Sequence, residues 1–201
     1  MDTYLTIAKP SEGIYKEKGS KFLAFAYPIF SEDDFKEHIQ ELKKLHHNAR
    51  HFCYAFKLGL TENEYRYSDD GEPNNSAGKP IYGQILSKNL TNVGIVVVRY
   101  FGGTKLGVGG LVTAYKEAAA DALNNAKIVE RTVNNFYQIT FDYAIMSEVM
   151  NFVKQHDLNV SKQVFENSCL IEFNIRQTEA EFTVQELEKI EGLLVKFLRT
   201  I

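Results

Sequence analysis

The hydrophobic pattern of this 201-residue chain switches repeatedly between a two-residue period and a three-to-four-residue period, which predicts interleaved strands and helices. Its centre is Val93–Asn125. Ile95–Val98 is a short β-branched block flanked by Gly94, the pattern of a buried strand. Five glycines follow between Gly102 and Gly110, and then Leu111, Tyr115, Ala118 and Ala122 recur at helical spacing. The prediction is strand, glycine loop, helix. Upstream, Gly13–Lys18 and Lys21–Ile29 read as a hairpin turning at Lys18-Gly19-Ser20. Ser31 caps a predicted helix with an acidic first turn and an apolar stripe of Phe35, Ile39, Leu42 and Leu45. His51–Phe56 alternates as a strand, with His51, Cys53 and Ala55 on one face and Phe52, Tyr54 and Phe56 on the other. Glu64–Tyr67 is a short strand at best, and Pro80 presets a helix through Ile81, Ile85 and Leu86.

The last third carries its own pattern. Asn135–Phe141 alternates, and Ala144–His156 is helical through Ile145, Val149, Phe152 and Val153. Asn159–Phe165 and Ser168–Ile175 are strands turning at Glu166-Asn167. Thr178 caps a helix through Phe182, Leu187 and Ile190 that ends at Gly192, and Leu193–Leu198 is a final strand. The order is βαββαβ, the ferredoxin-like arrangement. The fold class expected is α+β in two domains, residues 1–131 and 135–201, with a boundary in the polar stretch Glu130–Asn134.

Composition changes this picture little. A hydrophobic content of 44% with 24% charged residues allows a real core, and the absence of Trp leaves its aromatic part to Phe and Tyr. The start Met1-Asp2-Thr3-Tyr4 lacks the features of a signal peptide, and no apolar run reaches membrane-spanning length, so a cytoplasmic protein without a membrane partner is expected. Cys53 and Cys169, far apart in sequence, read as buried thiols rather than a disulfide. Charge matters more. Residues 1–133 hold 17 Lys and Arg against 16 Asp and Glu, and residues 134–201 hold 6 against 10, so a first part of net +1 and a last third of net −4 make up the −3 of the chain. That balance argues against strong non-specific nucleic-acid binding, and no DNA partner is expected, although a local basic patch is allowed.

Two stretches carry candidate chemistry. Ser68–Pro80 is punctuated by Asp-Gly, Glu-Pro and Gly-Lys-Pro, and is longer than a connection needs. Its carboxylates, Asp69, Asp70 and Glu72, can hold Mg²⁺ beside a phosphate or do acid–base work; equally, they can cap turns and pair with Arg66 or Lys79. The glycine loop with Arg99, Lys105 and Lys116 can cradle an anion at a helix N-terminus, or can serve close packing. It is not a P-loop, because Gly103-Thr104-Lys105 reverses the required order, and Val112 stands where the dinucleotide fingerprint needs its third glycine. His46, His47 and His51 lack an acidic or thiol partner at ligand spacing, so no metal is expected. Cys53 and His51, two apart in a strand, point the same way without being built to hydrogen-bond, so no catalytic pair is assigned.

Asp69-Asp70-Gly71-Glu72-Pro73, then Ala77-Gly78-Lys79-Pro80-Ile81, then Val97–Gly107 and Gly109-Gly110-Leu111 resemble the signature of the Impact family, in its bacterial YigZ-type form. His51, Cys53 and Ala55 resemble the strand before that loop, and the likeness covers essentially the whole chain. This chain has Asn74-Asn75-Ser76 where the family often has Ser-Gly-Thr, which keeps turn-forming character but moves any hydroxyl contact. The resemblance implies a first domain like ribosomal protein S5 domain 2, shared by elongation factor G domain IV, and a last domain like elongation factor G domain V. It implies a start directly in the Impact-like part, without the RWD domain of eukaryotic forms. Those eukaryotic relatives regulate translation under stress, restraining an initiation-factor kinase by competing for its activator.

The function expected is therefore that of a non-enzymatic, translation-associated regulator without a cofactor. Its partners would be RNA, the ribosome or a translation-linked protein, the acidic last domain favouring protein. The expected contact residues are Asp69, Asp70, Glu72, Gly78, Lys79, Arg99, Tyr100, Gly102, Gly103 and Lys105, with both loops lining one cleft. The rival expectation is an enzyme acting on a phosphorylated or nucleotide substrate in the cleft between the 69–79 and 99–110 loops.

Overall fold

A computed structural model describes residues 2–61, 64–166 and 168–201, and these divide into two compact units. The first unit spans residues 4–131; residues 132–201 form the second together with the start of the chain, residues 2–3. The elements begin with β1 (Thr3–Ile7), β2 (Ser11–Glu17), β3 (Ser20–Pro28), α1 (Glu32–Leu45), β4 (His51–Lys57) and β5 (Tyr65–Ser68). They continue with α2 (Gly78–Ser87), β6 (Val93–Tyr100), α3 (Gly107–Asn125) and β7 (Ile128–Thr132).

Five strands form one antiparallel sheet in the order β2-β3-β6-β4-β5, while β1 and β7 pair separately. The β-branched block explains the centre. All of Val93–Val98 is buried, because β6 is covered on both faces. Ile95 and Val97 join Cys53, Ala55, Ile81, Ala114 and Tyr115 beneath α2 and α3. Val96 and Val98 join Phe35, Leu42, Phe52 and Phe56 beneath α1. The sheet is thus the middle of three layers. The alternation expected for His51–Phe56 divides between these two cores as the two-residue period requires. Ser31 accepts the Asp34 N–H at 3.1 Å, as a cap at the start of α1 should.

The second unit contains β8 (Asn134–Asp142), a 3₁₀ turn (Tyr143–Ile145), α4 (Met146–Gln155), β9 (Asn159–Phe165), β10 (Ser168–Arg176), α5 (Gln177–Leu187) and β11 (Leu194–Thr200). Its sheet runs β11-β8-β10-β9, antiparallel throughout, around a core including Ile139, Phe141, Val149, Ile171, Phe173 and Leu187. The α+β class and the βαββαβ order stand as expected.

Several local expectations do not. Leu45, Leu86 and Phe182 are exposed: Leu45 is the last residue of α1, and Leu86 and Phe182 lie about 100° round their helices from the buried Ile85 and Thr183. Thr178 does not cap α5: its hydroxyl donates to the Asp2 carboxylate at 3.2 Å, the start of the chain having come to that helix end. The expected turn Glu166-Asn167 includes Asn167, which lies outside the described residues.

Candidate functional site

With Ser68 ending β5 and Gly78 opening α2, the acidic loop spans residues 69–77. Asp69 sets its shape. Its Oδ1 accepts the backbone N–H groups of Ala77 at 2.9 Å and Gly78 at 2.8 Å, and its Oδ2 accepts that of Asn75 at 2.8 Å. Ala77 offers the helix no side-chain cap, so Asp69 supplies both the acceptor and the negative charge that a helix N-terminus favours. Asp70 sits at φ 39°, with its carboxylate accepting the Phe52 N–H at 2.7 Å and its carbonyl 2.9 Å from His51 Nδ1, which therefore donates.

Glu72 turns further inward. Its Oε1 accepts from Arg99 Nη1 at 2.5 Å and from the Tyr115 hydroxyl at 2.8 Å. Glu72 is 9% exposed and Arg99 7%. The guanidinium lies 5.5 Å from the ring centroids of both Phe22 and Phe101. The expectation of Arg99 and Tyr100 as loop residues is corrected here: both belong to β6. Arg99 shares the face of Ile95 and Val97, beneath α3, where burial of a charge demands a partner. It is not the open positive charge that the glycine loop suggested. Tyr100, on the opposite face, bonds His46 Nδ1 at 2.9 Å. Nor do the loop acids pair with Arg66, which reaches Glu32 of α1 at 2.5 Å.

The glycines divide by role. A Cβ on Gly102 would lie 1.9 Å from the backbone carbon of Gly19, and its N–H donates to Ser20 Oγ at 3.1 Å, so this residue locks the loop onto the β2–β3 turn. Gly103 needs its φ of 86°. Gly107, Gly109 and Gly110 belong to α3 rather than to the loop, and a Cβ on Gly109 would meet nothing within 4 Å. The start of α3 has no side-chain cap.

The two loops do share a hollow. Glu72 and Pro73 from one, and Phe101 and Lys105 from the other, line a cleft of about 370 Å³ with Gly107 at the start of α3 and Arg99 at its base. A neighbouring hollow of about 330 Å³ is lined by Asn48, Arg50, His51, Arg99, Tyr100 and Phe101. Asp69, Asp70 and Gly78 act from behind as scaffold, and Lys79 is exposed in the first turn of α2, outside both hollows. Sequence reasoning missed Tyr115, which at helical spacing looks like any core aromatic, and Arg50, which no motif marks.

Chemically, the loop carboxylates are engaged with backbone N–H groups and Arg99, and among the described residues no cluster of three or more His, Cys, Asp or Glu side chains is arranged to hold a metal ion. Cys53 Sγ donates to the Asp69 carbonyl at 3.0 Å. Burial pushes this thiol far above its ordinary range, against the Tyr115 hydroxyl and with help from the negative charge of Glu72, Asp70 and Asp69. A thiol so held is no nucleophile. What remains for a ligand is a recess with an aromatic wall and exposed positive charge.

Residues 18–123, which include both loops, match the family model of the Impact N-terminal domain. An IMPACT family member of Haemophilus influenzae is 30% identical over 181 residues, covering 89% of this chain and 88% of that protein. The IMPACT family member YigZ of Escherichia coli is 27% identical over 197 residues, 96% of this chain and 97% of its own length. A crystal structure of a hypothetical protein superposes with a TM-score of 0.77 at 27% identity, covering 99% of this chain and 98% of the other. A match over more than half of the residues, spanning both loops, and relatives aligned along nearly the full length leave one conclusion: the chain belongs to the Impact family.

Proposed function

We propose that this protein is a non-enzymatic, translation-associated regulator of the cytoplasm that binds RNA or the ribosome through the end of the first unit where the two loops meet. One observation carries the reading: Asp69, Asp70 and Glu72 all turn inward, so the exposed charge left in the cleft, that of Lys105, is positive. A recess of that sign suits an anionic partner. Membership of the Impact family supports the link to translation. The inward carboxylates also speak against acid–base work, because a group held by backbone donors or a buried guanidinium is poorly placed to exchange protons with a substrate. The test is crosslinking and co-purification from cells, with RNA and protein fractions both identified, beside sedimentation with ribosomes. Recovery of RNA or ribosomal particles, lost at high salt, is the expected result. Capture of a translation-linked protein alone would move the partner from RNA to protein, and turnover of a phosphate ester by the purified chain would overturn the reading.

A further inference from the structure

We propose that Phe101 is a base-stacking residue for single-stranded RNA, whose phosphates are held by the cations around that ring. The inference rests on the RNA reading above and narrows it to unpaired bases and one side chain.

Phe101 directly follows β6 and is 59% exposed. It lines three adjoining hollows. One, of about 530 Å³, contains Lys16, Lys21 and His46. The second holds Arg50 and His51, and the third Lys105. Each is of a size that accepts a small planar molecule. Lys16, Lys21, Arg50 and Lys105 are all exposed, and none forms an ion pair among the described residues. Among the described residues, the only carboxylate lining any of the three hollows is Glu72, which is buried against Arg99. In a chain of net charge −3, four unpaired cations around one exposed ring are a local concentration that internal acids do not offset.

Neither feature alone would point to a ligand, since single exposed aromatics and surface lysines are ordinary. Together they match the two recurring parts of a nucleic-acid strand, a π-face and a phosphate. The Arg99 guanidinium, itself fixed by Glu72, packs on the ring and restricts it before a partner arrives. A duplex hides its base faces, so the ring selects an unpaired stretch.

The test uses the full chain with Phe101→Ala, Phe101→Leu and Phe101→Tyr. Fluorescence anisotropy is read against an unstructured RNA of about ten nucleotides and an RNA hairpin duplex at two salt concentrations. The alanine and leucine variants should bind the single strand about ten-fold more weakly, or worse, while tyrosine retains binding and all three keep the wild-type salt dependence. Lys16→Ala with Lys21→Ala should instead flatten that dependence. Circular dichroism melts check folding; if the alanine variant melts low, leucine, which keeps the apolar contact with Arg99, decides. Wild-type affinity in the leucine variant would overturn the stacking role and leave RNA binding standing. A preference for the duplex would do the same. Sedimentation with ribosomes without binding of either RNA would refute stacking while sparing the translation reading, and failure of all three would end both.

Discussion

Arg99 and Glu72 close an ion pair at 2.5 Å, both more than nine-tenths buried, with the Tyr115 hydroxyl donating to the same carboxylate oxygen at 2.8 Å. The contact joins the acidic loop to the end of the central strand and to the long helix α3. It explains how a loop with three acids lies beside exposed cations without cancelling them. The acid that reaches furthest into the fold meets a guanidinium that is itself more than nine-tenths buried.

Removing one partner of this pair should be costly, because the other charge stays buried. Arg99→Ala or Glu72→Gln should each lower stability by about 3–5 kcal/mol in urea titrations. Tyr115→Phe should cost about 1 kcal/mol and Lys105→Ala less than about 0.5 kcal/mol. The pair Arg99→Met with Glu72→Leu should recover much of the loss, since apolar replacement of both partners removes the orphan charge. A near-neutral Arg99→Ala would show the pair to be dispensable.

The glycines should separate in the same measurement. Gly102→Ala forces a methyl onto the Gly19 backbone and should destabilise by about 2–3 kcal/mol. Gly109→Ala meets open space within a helix and should stabilise by up to about 1 kcal/mol. Equal effects would contradict the division between a packed and a bare glycine.

Cys53 and Cys169 are both buried and unpaired. In the native protein neither should react with a thiol reagent on the timescale of an exposed cysteine, and both should react once urea unfolds the chain. Rapid native labelling at Cys53, located by peptide mapping, would reopen it as a reactive group.

Asp2 and Arg176 give a pH signature. The hydrogen bond from Arg176 Nε, with a smaller one from Thr178, holds the Asp2 carboxyl below its ordinary value. A depressed carboxyl contributes stability that is full above the unfolded value and is lost as pH falls through the folded one. The melting-temperature gap between wild type and Asp2→Asn should therefore be present near neutrality and close below about pH 4. A gap unchanged by pH would rule out the charge as its source.

By itself the sequence determined the order and type of most elements and the two faces of β4, because burial imposes a local period that residue types record; it did not mark β1 and β7, which pair only because segments far apart in the chain meet. It also marked both loops, since glycine, proline and acid clusters have few other uses in such numbers. What it could not determine was which groups meet. Glu72 lies 27 residues from Arg99 and 43 from Tyr115, and no period links them. Only the packing of α3 on the sheet decided that Arg99 is an internal counter-ion rather than an open cation. The same holds for Gly102 against Gly109, alike in sequence but not in surroundings, and for Thr178, whose hydroxyl left the helix for Asp2. Periodicity reports that a residue is covered; distance in three dimensions decides by what, and so which charges remain for a partner.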